Sequence, residues 1–181
     1  RPLDGSATTS GQRARAVTRP AQRLTRSLAR VLLCHDPPMD LIRPDAEHLP
    51  GFVDALQRGW SPSTEHDISG EILAEIARGP EQFLAQADDR DPQGRIVTLP
   101  DGSQVPRLPG FARWMWDGGF CGSINMRWQD GTAALPAHVL GHIGYSVVPW
   151  KRRRGYATEA LRLLLPEAAG IGLPYVQLTT D

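Results

Sequence analysis

The sequence is poor in the residues that build covalent or metal-based frameworks. It has two cysteines among 181 residues, Cys34 and Cys121, and two cannot form the disulfide framework of a small secreted domain. Neither lies in a metal-ligand spacing, so we predict no metal site. The chain also has no apolar run of 18 or more residues, so we predict no membrane-spanning helix and no membrane partner. A reduced, cytoplasmic setting is the simplest interpretation.

Lysine is equally scarce, because Lys151 is the only one in the chain. The formal net charge is zero, but residues 1–38 carry seven Arg and two Asp, whereas the remainder carries thirteen basic and eighteen acidic residues. Residues 1–38 have too few apolar residues to form a core, so we predict a disordered, Arg-rich leader. A targeting segment and a nucleic-acid-binding arm are the alternatives for this stretch.

Residues 39–181 have the periodicity of one α+β domain. Helical spacing in "DAEHLPGFVDALQRGW" and "ISGEILAEIARG" is followed, from about Arg95, by the two-residue alternation of strands. "FARWMW", the turn "DGG" and "FCGSINMRW" predict a hairpin, and "GHIGYSVV" a further strand. A helix, "YATEALRLLLPEAAGIG", and a last strand, "LPYVQLTTD", follow. We therefore predict a mixed, mostly antiparallel sheet flanked by helices, with one parallel strand–helix–strand crossover near the C-terminus.

Four consecutive cations, Lys151 to Arg154, stand directly before Gly155, between the predicted strand and helix. The first N–H groups of a helix have no intrahelical partner, and the helix dipole adds partial positive charge there. With arginines beside them, these groups suit phosphate oxygens, and a glycine allows close approach to the backbone. A solvated basic loop, turned by its glycine, and a nucleic-acid patch are the competing interpretations.

The segment "RRRGYA" fits the R/Q-x-x-G-x-G/A motif of the GNAT superfamily, the acetyl-CoA-dependent N-acetyltransferases. The flanking "GHIGYSVVP" and "ATEALRLLLPEA" resemble the fourth strand and third helix of that family, and the resemblance extends over residues 39–181. It implies a GNAT-like fold with acetyl-CoA as co-substrate. The family normally continues beyond "LTTD" with a helix and two strands, so the resemblance implies a domain truncated after its fifth strand.

The resemblance also implies a cofactor site. The main chain of Val147 and Val148 would pair with the pantetheine amides and polarise the thioester carbonyl, although both valines are equally well explained as strand core. The pyrophosphate would lie on the loop and the first turn of the helix. The residues assigned to it in this way are Arg152, Arg153, Arg154, Gly155, Tyr156, Ala157 and Thr158.

For the chemistry, His142 lies where some family members carry a glutamate base, and an imidazole pKa near 6.5 suits proton removal from an amine. A partly buried structural histidine is the alternative. Asp117, Asn125 and Arg127 are candidate lining of an acceptor pocket. Tyr145 is assigned to core packing in preference to donating a proton to the thiolate.

The leading hypothesis is an N-acetyltransferase that transfers an acetyl group from acetyl-CoA to a primary amine by direct attack in a ternary complex. A non-catalytic acyl-CoA-binding or regulatory module is the alternative, and a nucleic-acid-binding protein is a third hypothesis. The predicted partner is a small-molecule or peptide amine, and a homodimer is left open.

Overall fold

The computed structural model describes residues 39–63, 66–99 and 101–178. The leader predicted at residues 1–38 lies outside them. The expected mixed α+β class with mostly antiparallel pairing is confirmed. The elements, in chain order, are β1 (Asp40–Ile42), α1 (Leu49–Gln57), α2 (Ser69–Arg78), α3 (Pro80–Ala85), β2 (Asp88–Asp89), β3 (Ile96–Thr98), β4 (Gln104–Pro106), β5 (Gly110–Trp116), β6 (Phe120–Arg127), β7 (Ile143–Val147), a 3₁₀ turn (Pro149–Lys151) and α4 (Tyr156–Gly170).

The main sheet has the order β1–β5–β6–β7, with β2 also pairing with β5, and every one of these pairings is antiparallel. The β5–β6 hairpin closes at the predicted "DGG" turn, where Gly118 has a φ of 94° and Asp117 N–H donates to Gly119 O at 3.2 Å. Because L-residues rarely adopt such a φ, the glycine permits a turn this tight. β7 forms one edge of the sheet.

The two faces of this sheet carry separate apolar clusters, as the alternation of side chains along each strand requires. One cluster joins sheet residues to α4, and the other joins them to α1 and the segment after it. The buried members of the first are Met39, Phe111, Met115, Cys121, Ile124, Met126, Trp128, Ile143, Tyr156, Ala160, Leu164 and Ala168. Those of the second are Phe52, Ala55, Leu56, Trp60, Trp114, Phe120 and Val148.

Strands β3 and β4 form a two-stranded sheet of their own, apart from the main sheet. One strand predicted from the sequence is not found as such in the described residues. "LPYVQLTTD" is not a regular strand within the described residues, where it contributes one isolated parallel bridge between Ile143 and Leu178. Alternation in sequence marks extended backbone but does not identify the partner.

Helix α4 is the longest helix of the described chain, and Pro166 lies inside it without ending it. None of the helices in the described ranges has the length and apolar character needed to cross a membrane.

Candidate functional site

The segment between β7 and α4, residues 148–155, makes two abrupt changes of direction. After the 3₁₀ turn, Arg153 adopts a φ of 64° and Gly155 a φ of 85°. Gly155 is the residue that precedes the first turn of α4, and Glu159 N–H donates to its carbonyl at 3.0 Å. The predicted helix start at Gly155 is therefore confirmed. A left-handed residue directly before a helix turns the first N–H groups toward one concave surface.

Several amide groups of this turn point to no protein acceptor. Within residues 149–160, the N–H groups of Gly155, Ala157 and Thr158 make no hydrogen bond to the described protein. A Cβ placed on Gly155 would meet no atom within 4 Å. Glycine is therefore required at this position by the positive φ and not by a lack of space for a side chain. Donors arranged in this way at a helix N-terminus form an anion-binding concavity.

The open edge of β7 runs into this concavity. Arg127 N–H donates to His142 O and Val148 N–H donates to Cys121 O. Because antiparallel pairs alternate between bonded and non-bonded, the main-chain groups of Tyr145 and Val147 face away from β6, toward the open edge. The N–H of Val148 donates to Cys121 O, and the carbonyl of Val148 accepts from Lys151 N–H at 3.0 Å. Both main-chain groups of Val148 are bonded within the protein, which does not favour the predicted cofactor contact at this residue.

A cavity of about 440 Å³, which we call the loop cavity, lies where the β7 edge meets the start of α4. It contains most of the residues that the resemblance assigned to the cofactor, although Arg154 and Val148 are not among its lining. The lining residues are Tyr145, Ser146, Val147, Lys151, Arg152, Arg153, Gly155, Tyr156, Ala157 and Thr158.

Asp117 fastens both ends of the loop to the β5–β6 hairpin. Its Oδ1 accepts from Lys151 Nζ at 2.5 Å and its Oδ2 accepts from the Tyr156 hydroxyl at 2.5 Å. Burial alone would raise the pKa of Asp117, but hydrogen bonds from Lys151, Tyr156 and Cys121 lower it below its usual value. The carboxylate of Asp117 thus holds the loop, which does not favour its predicted place in an acceptor pocket.

The same network holds Lys151 inward as a cation. Burial would lower its pKa, but the hydrogen bond and charge of Asp117 raise it. Its Nζ also lies 3.4 Å from Cys121 Sγ. Burial raises the pKa of the Cys121 thiol to about 12, so the sulfur stays protonated. Lys151 therefore holds the loop in place through its bond to Asp117.

The three arginines that follow differ from Lys151 in exposure, since all three are exposed. Arg152 Nε donates to Val147 O at 3.1 Å, which uses one carbonyl of the β7 edge. The side chains of Arg153 and Arg154 make no hydrogen bond or ion pair with the described protein. Arg153 lines the loop cavity. These two side chains are the ones available to an anion from solvent.

His142 is fully buried, with 0% of its surface exposed. Its Nδ1 accepts the Gln177 N–H at 3.1 Å, and its buried Nε2 has no hydrogen-bond partner in the described protein. Burial lowers its pKa, so the ring is neutral. It does not line the loop cavity. This position does not support the predicted role of His142 as catalytic base, and the structural alternative describes it better.

Asn125 and Arg127 do lie together at a second cavity, of about 410 Å³, which we call the hairpin cavity because β3 and β4 form part of its wall. Arg127 Nη2 donates to Asn125 Oδ1 at 3.1 Å. Tyr145 lies on the opposite face of the sheet, half-buried at the loop cavity and packed against the first apolar cluster.

Two contributors to the site have no signal in the sequence that predicts their role. Trp60 Nε1 donates to Ser146 Oγ at 3.0 Å, and Ser146 Oγ donates to Ser61 O at 3.1 Å, which fixes β7 to the end of α1. The guanidinium of Arg58 stacks on Trp150, 3.6 Å from the ring centroid, and holds the 3₁₀ turn. Only tertiary structure brings these residues together.

Comparisons of the chain with protein-family models, with curated proteins and with solved structures found no match. The functional argument therefore depends on the two cavities and on the residues that line them.

Proposed function

We propose that this chain has a GNAT-like domain that transfers an acetyl group from acetyl-CoA to a primary amine. The observation that carries the proposal is the loop cavity, where unbonded amides at the start of α4 meet an open strand edge. The parallel bridge between Ile143 and Leu178, after α4, supports the strand–helix–strand crossover of such a fold.

The cavity offers distinct groups to the parts of the cofactor. The amides of Gly155, Ala157 and Thr158 suit the pyrophosphate, with Arg153 and Arg154 supplying positive charge. The main-chain groups of Tyr145 and Val147 at the β7 edge suit the pantetheine amides, which pair with a strand edge as another strand does. Because Arg152 Nε already bonds Val147 O, we expect that side chain to move when the arm binds.

The reaction needs no covalent intermediate on the protein. The neutral amine nitrogen attacks the thioester carbonyl carbon and forms the new C–N bond, the nitrogen gives up one proton to water, the C–S bond breaks, and the sulfur leaves as a thiolate that takes up a proton. The N–H of Val147, at the open edge, is a candidate donor to the oxygen that becomes negative. The Tyr145 hydroxyl, at the same cavity, is a candidate proton donor to the thiolate.

Calorimetric titration with CoA tests the binding step, and Gly155→Asp is the informative variant because it adds a negative side chain to the proposed pyrophosphate site. Gly59→Asp is its matched control, since Gly59 has a φ of 84° against 85° for Gly155 and a Cβ added at either position would meet no atom within 4 Å. Both variants carry the same backbone strain, but only Gly155→Asp should lose CoA affinity, by at least about tenfold.

An unaltered chain that binds no CoA would overturn the proposal, and so would equal losses in the two variants. Release of free thiol from acetyl-CoA in the presence of a panel of primary amines then tests turnover. Tyr145→Phe should slow that release while leaving CoA affinity unchanged.

A non-catalytic acyl-CoA-binding module is the second candidate function, favoured by the complete burial of His142 and the bond from Gln177 N–H to its ring. This candidate shares the CoA site and differs in turnover. It predicts CoA binding with no thiol release from acetyl-CoA for any amine in the panel.

A further inference from the structure

The hairpin cavity has the size of a small-molecule site. Its volume of about 410 Å³ lies within the roughly 300–1,000 Å³ typical of ligand pockets. Ala112 of β5 and Asn125 of β6 line it from the main sheet, and the β3–β4 hairpin and the 138–139 segment form its other walls. The cavity therefore lies between two sheets that do not pair with each other.

Apolar side chains form most of the walls outside the main sheet. They are Val97, Leu99, Pro106, Leu108 and Val139. All of them except the exposed Pro106 are half-buried, so part of their apolar surface is in contact with water. A ligand that covers this surface with an apolar group removes it from water and gains free energy.

The two arginines of the lining are already bonded within the protein. Arg107 Nε donates to the buried carboxylate of Asp89 at 3.0 Å, and Arg127 Nη2 donates to Asn125 Oδ1 at 3.1 Å. An anionic ligand would have to compete with these contacts. The arginines are therefore better explained as part of the wall than as partners of a ligand.

His138 is the remaining ionisable residue of the lining, and it lies near the carboxylate of Asp101. Hydrogen bonds from Ser103 and, to a smaller degree, the charge of His138 lower the pKa of Asp101. No Asp or Glu is among the lining residues within the described ranges. A cationic ligand would therefore leave its charge unpaired among apolar walls, which is unfavourable. A neutral ligand meets neither difficulty.

One polar group of the cavity is placed near the loop cavity. A Cβ added to Gly144 would lie 3.2 Å from Asn125 Oδ1, so this oxygen lies against β7. An amide oxygen has two lone pairs, and Arg127 uses one of them, so Asn125 Oδ1 can accept a further N–H. Tyr145, which follows Gly144, lines the loop cavity, and consecutive Cα atoms are about 3.8 Å apart.

We infer that the hairpin cavity binds a neutral aromatic amine, with its ring against the apolar walls and its amino group donating to Asn125 Oδ1. An alkylamine, with a pKa of roughly 10.4 as in lysine, is a cation at neutral pH. The lone pair of an aromatic amine is delocalised into the ring, so this amine is neutral at the same pH. Its amino group lies at the end of the cavity that faces the loop cavity.

An aromatic amine also suits the reaction, and this step rests on the proposed function. The attacking amine must be neutral, and His142, the predicted base, is fully buried and does not line the hairpin cavity. An aromatic amine needs no base to become neutral. Its nitrogen forms the C–N bond and gives up one proton to water, the C–S bond breaks, and the products are an N-aryl acetamide and the thiol of CoA.

Calorimetric titrations of the whole chain at neutral pH, first without CoA, test the site with ligands of similar size and different charge. 4-Ethylaniline is neutral, its isomer 4-methylbenzylamine is a cation, and 4-methylbenzoate is an anion. 4-Ethylaniline should bind, and each of the two ions should bind at least about tenfold more weakly.

Val97→Asp tests the charge preference, because it adds a carboxylate to the lining. It should weaken 4-ethylaniline by at least about tenfold and tighten 4-methylbenzylamine by at least about threefold. Ile96→Asp is the matched control, since Ile96 is the neighbouring residue of β3, is 62% exposed and does not line the cavity. It should leave both affinities unchanged.

If Val97→Asp does not fold, Ala112→Leu replaces it, because the larger side chain fills the main-sheet side of the cavity and should abolish 4-ethylaniline binding. Ala169→Leu, at an exposed position of α4, is its control and should leave that binding unchanged.

No binding of 4-ethylaniline would overturn the inference, and so would an ion that binds as tightly as 4-ethylaniline. Binding of 4-ethylaniline without binding of CoA would support this site and overturn the transferase. Binding of CoA without binding of 4-ethylaniline would overturn this site alone.

Discussion

The two halves of the basic run, residues 151–152 and 153–154, have opposite surroundings although they are adjacent in sequence. Lys151 Nζ donates a hydrogen bond to the carboxylate of Asp117, and Arg152 Nε donates one to the carbonyl of Val147. Arg153 and Arg154 are exposed and bond nothing in the described protein. The first half therefore shapes the loop, and the second half carries charge that a ligand can use.

The difference follows from the backbone. Residues 149–151 form a 3₁₀ turn that points Lys151 back at the β5–β6 hairpin, and the positive φ of Arg153 reverses the chain away from it. Mutual repulsion within the run is lowered because one of its four charges is paired with Asp117. Adjacent cations in this run therefore have different roles, and the role of each follows from the contacts that its side chain makes.

The largest effect is expected from Asp117→Ala, which removes the acceptor of the first half. It removes the carboxylate that pairs with the Lys151 cation, whose side chain is 18% exposed, and it also removes the hydrogen bond from the Tyr156 hydroxyl to Asp117. We expect a loss of about 2 to 3 kcal/mol in the free energy of unfolding, measured by urea denaturation.

Asp54→Ala is the control for this change, because Asp54 forms an exposed pair with Arg58 and should cost less than about 1 kcal/mol. If Asp117→Ala were as mild as this control, the network would not hold the loop.

A smaller effect is expected from Gly155→Ala, which tests the backbone that joins the second half to α4. No atom lies within 4 Å of the added Cβ, so the cost is conformational, about 1 to 2 kcal/mol. Gly70→Ala, inside α2 and equally uncrowded, should instead stabilise by about 0.5 kcal/mol. Thermal denaturation of the two variants should give shifts of opposite sign, and a stabilising Gly155→Ala would contradict the left-handed conformation.

Arg153→Ala and Arg154→Ala should leave stability unchanged, because these exposed side chains make no hydrogen bond or ion pair with the described residues. Each should weaken CoA binding a few-fold, on the order of 0.5 to 1 kcal/mol, and the loss should shrink as salt is raised. Calorimetry at two salt concentrations measures both effects. A loss of stability in either variant, or CoA affinity independent of salt, would remove the distinction between the two halves.

Local signals in the sequence predicted the elements that frame the site. The alternation in "FCGSINMRW", the turn at Gly118 and the glycine before "YATEALRLLL" each have short-range physical causes, and the hairpin and the start of α4 lie where they predict. Asn125 and Arg127, both predicted as candidate pocket lining, lie on one face of β6 because side chains alternate along a strand.

What the sequence did not predict depends on contacts distant in the chain. Asp117 meets Lys151 and Tyr156 across 34 and 39 residues, and no local pattern indicates such a pairing. The burial of His142 depends on Gln177, in a segment that makes a single bridge. The main-chain bonds of Val148 could not be predicted either, because the register of β7 against β6 decides which main-chain groups are bonded, and one residue of shift reverses the assignment.

The smallest expected effect separates the charge of Asp117 from its shape. Since the folded protein lowers the pKa of Asp117 below 3.8, ionised Asp117 contributes stability that is present above the unfolded pKa, about 3.9. That contribution is lost as pH falls through the lower folded pKa. The difference in free energy of unfolding between the unaltered chain and Asp117→Asn should therefore be constant above about pH 5 and shrink below about pH 4. The other carboxylates with lowered pKa values cancel in this difference. Urea denaturation from pH 3 to pH 7 measures it, and a difference that did not change with pH would contradict the lowered pKa of Asp117 and the stabilising role of its charge.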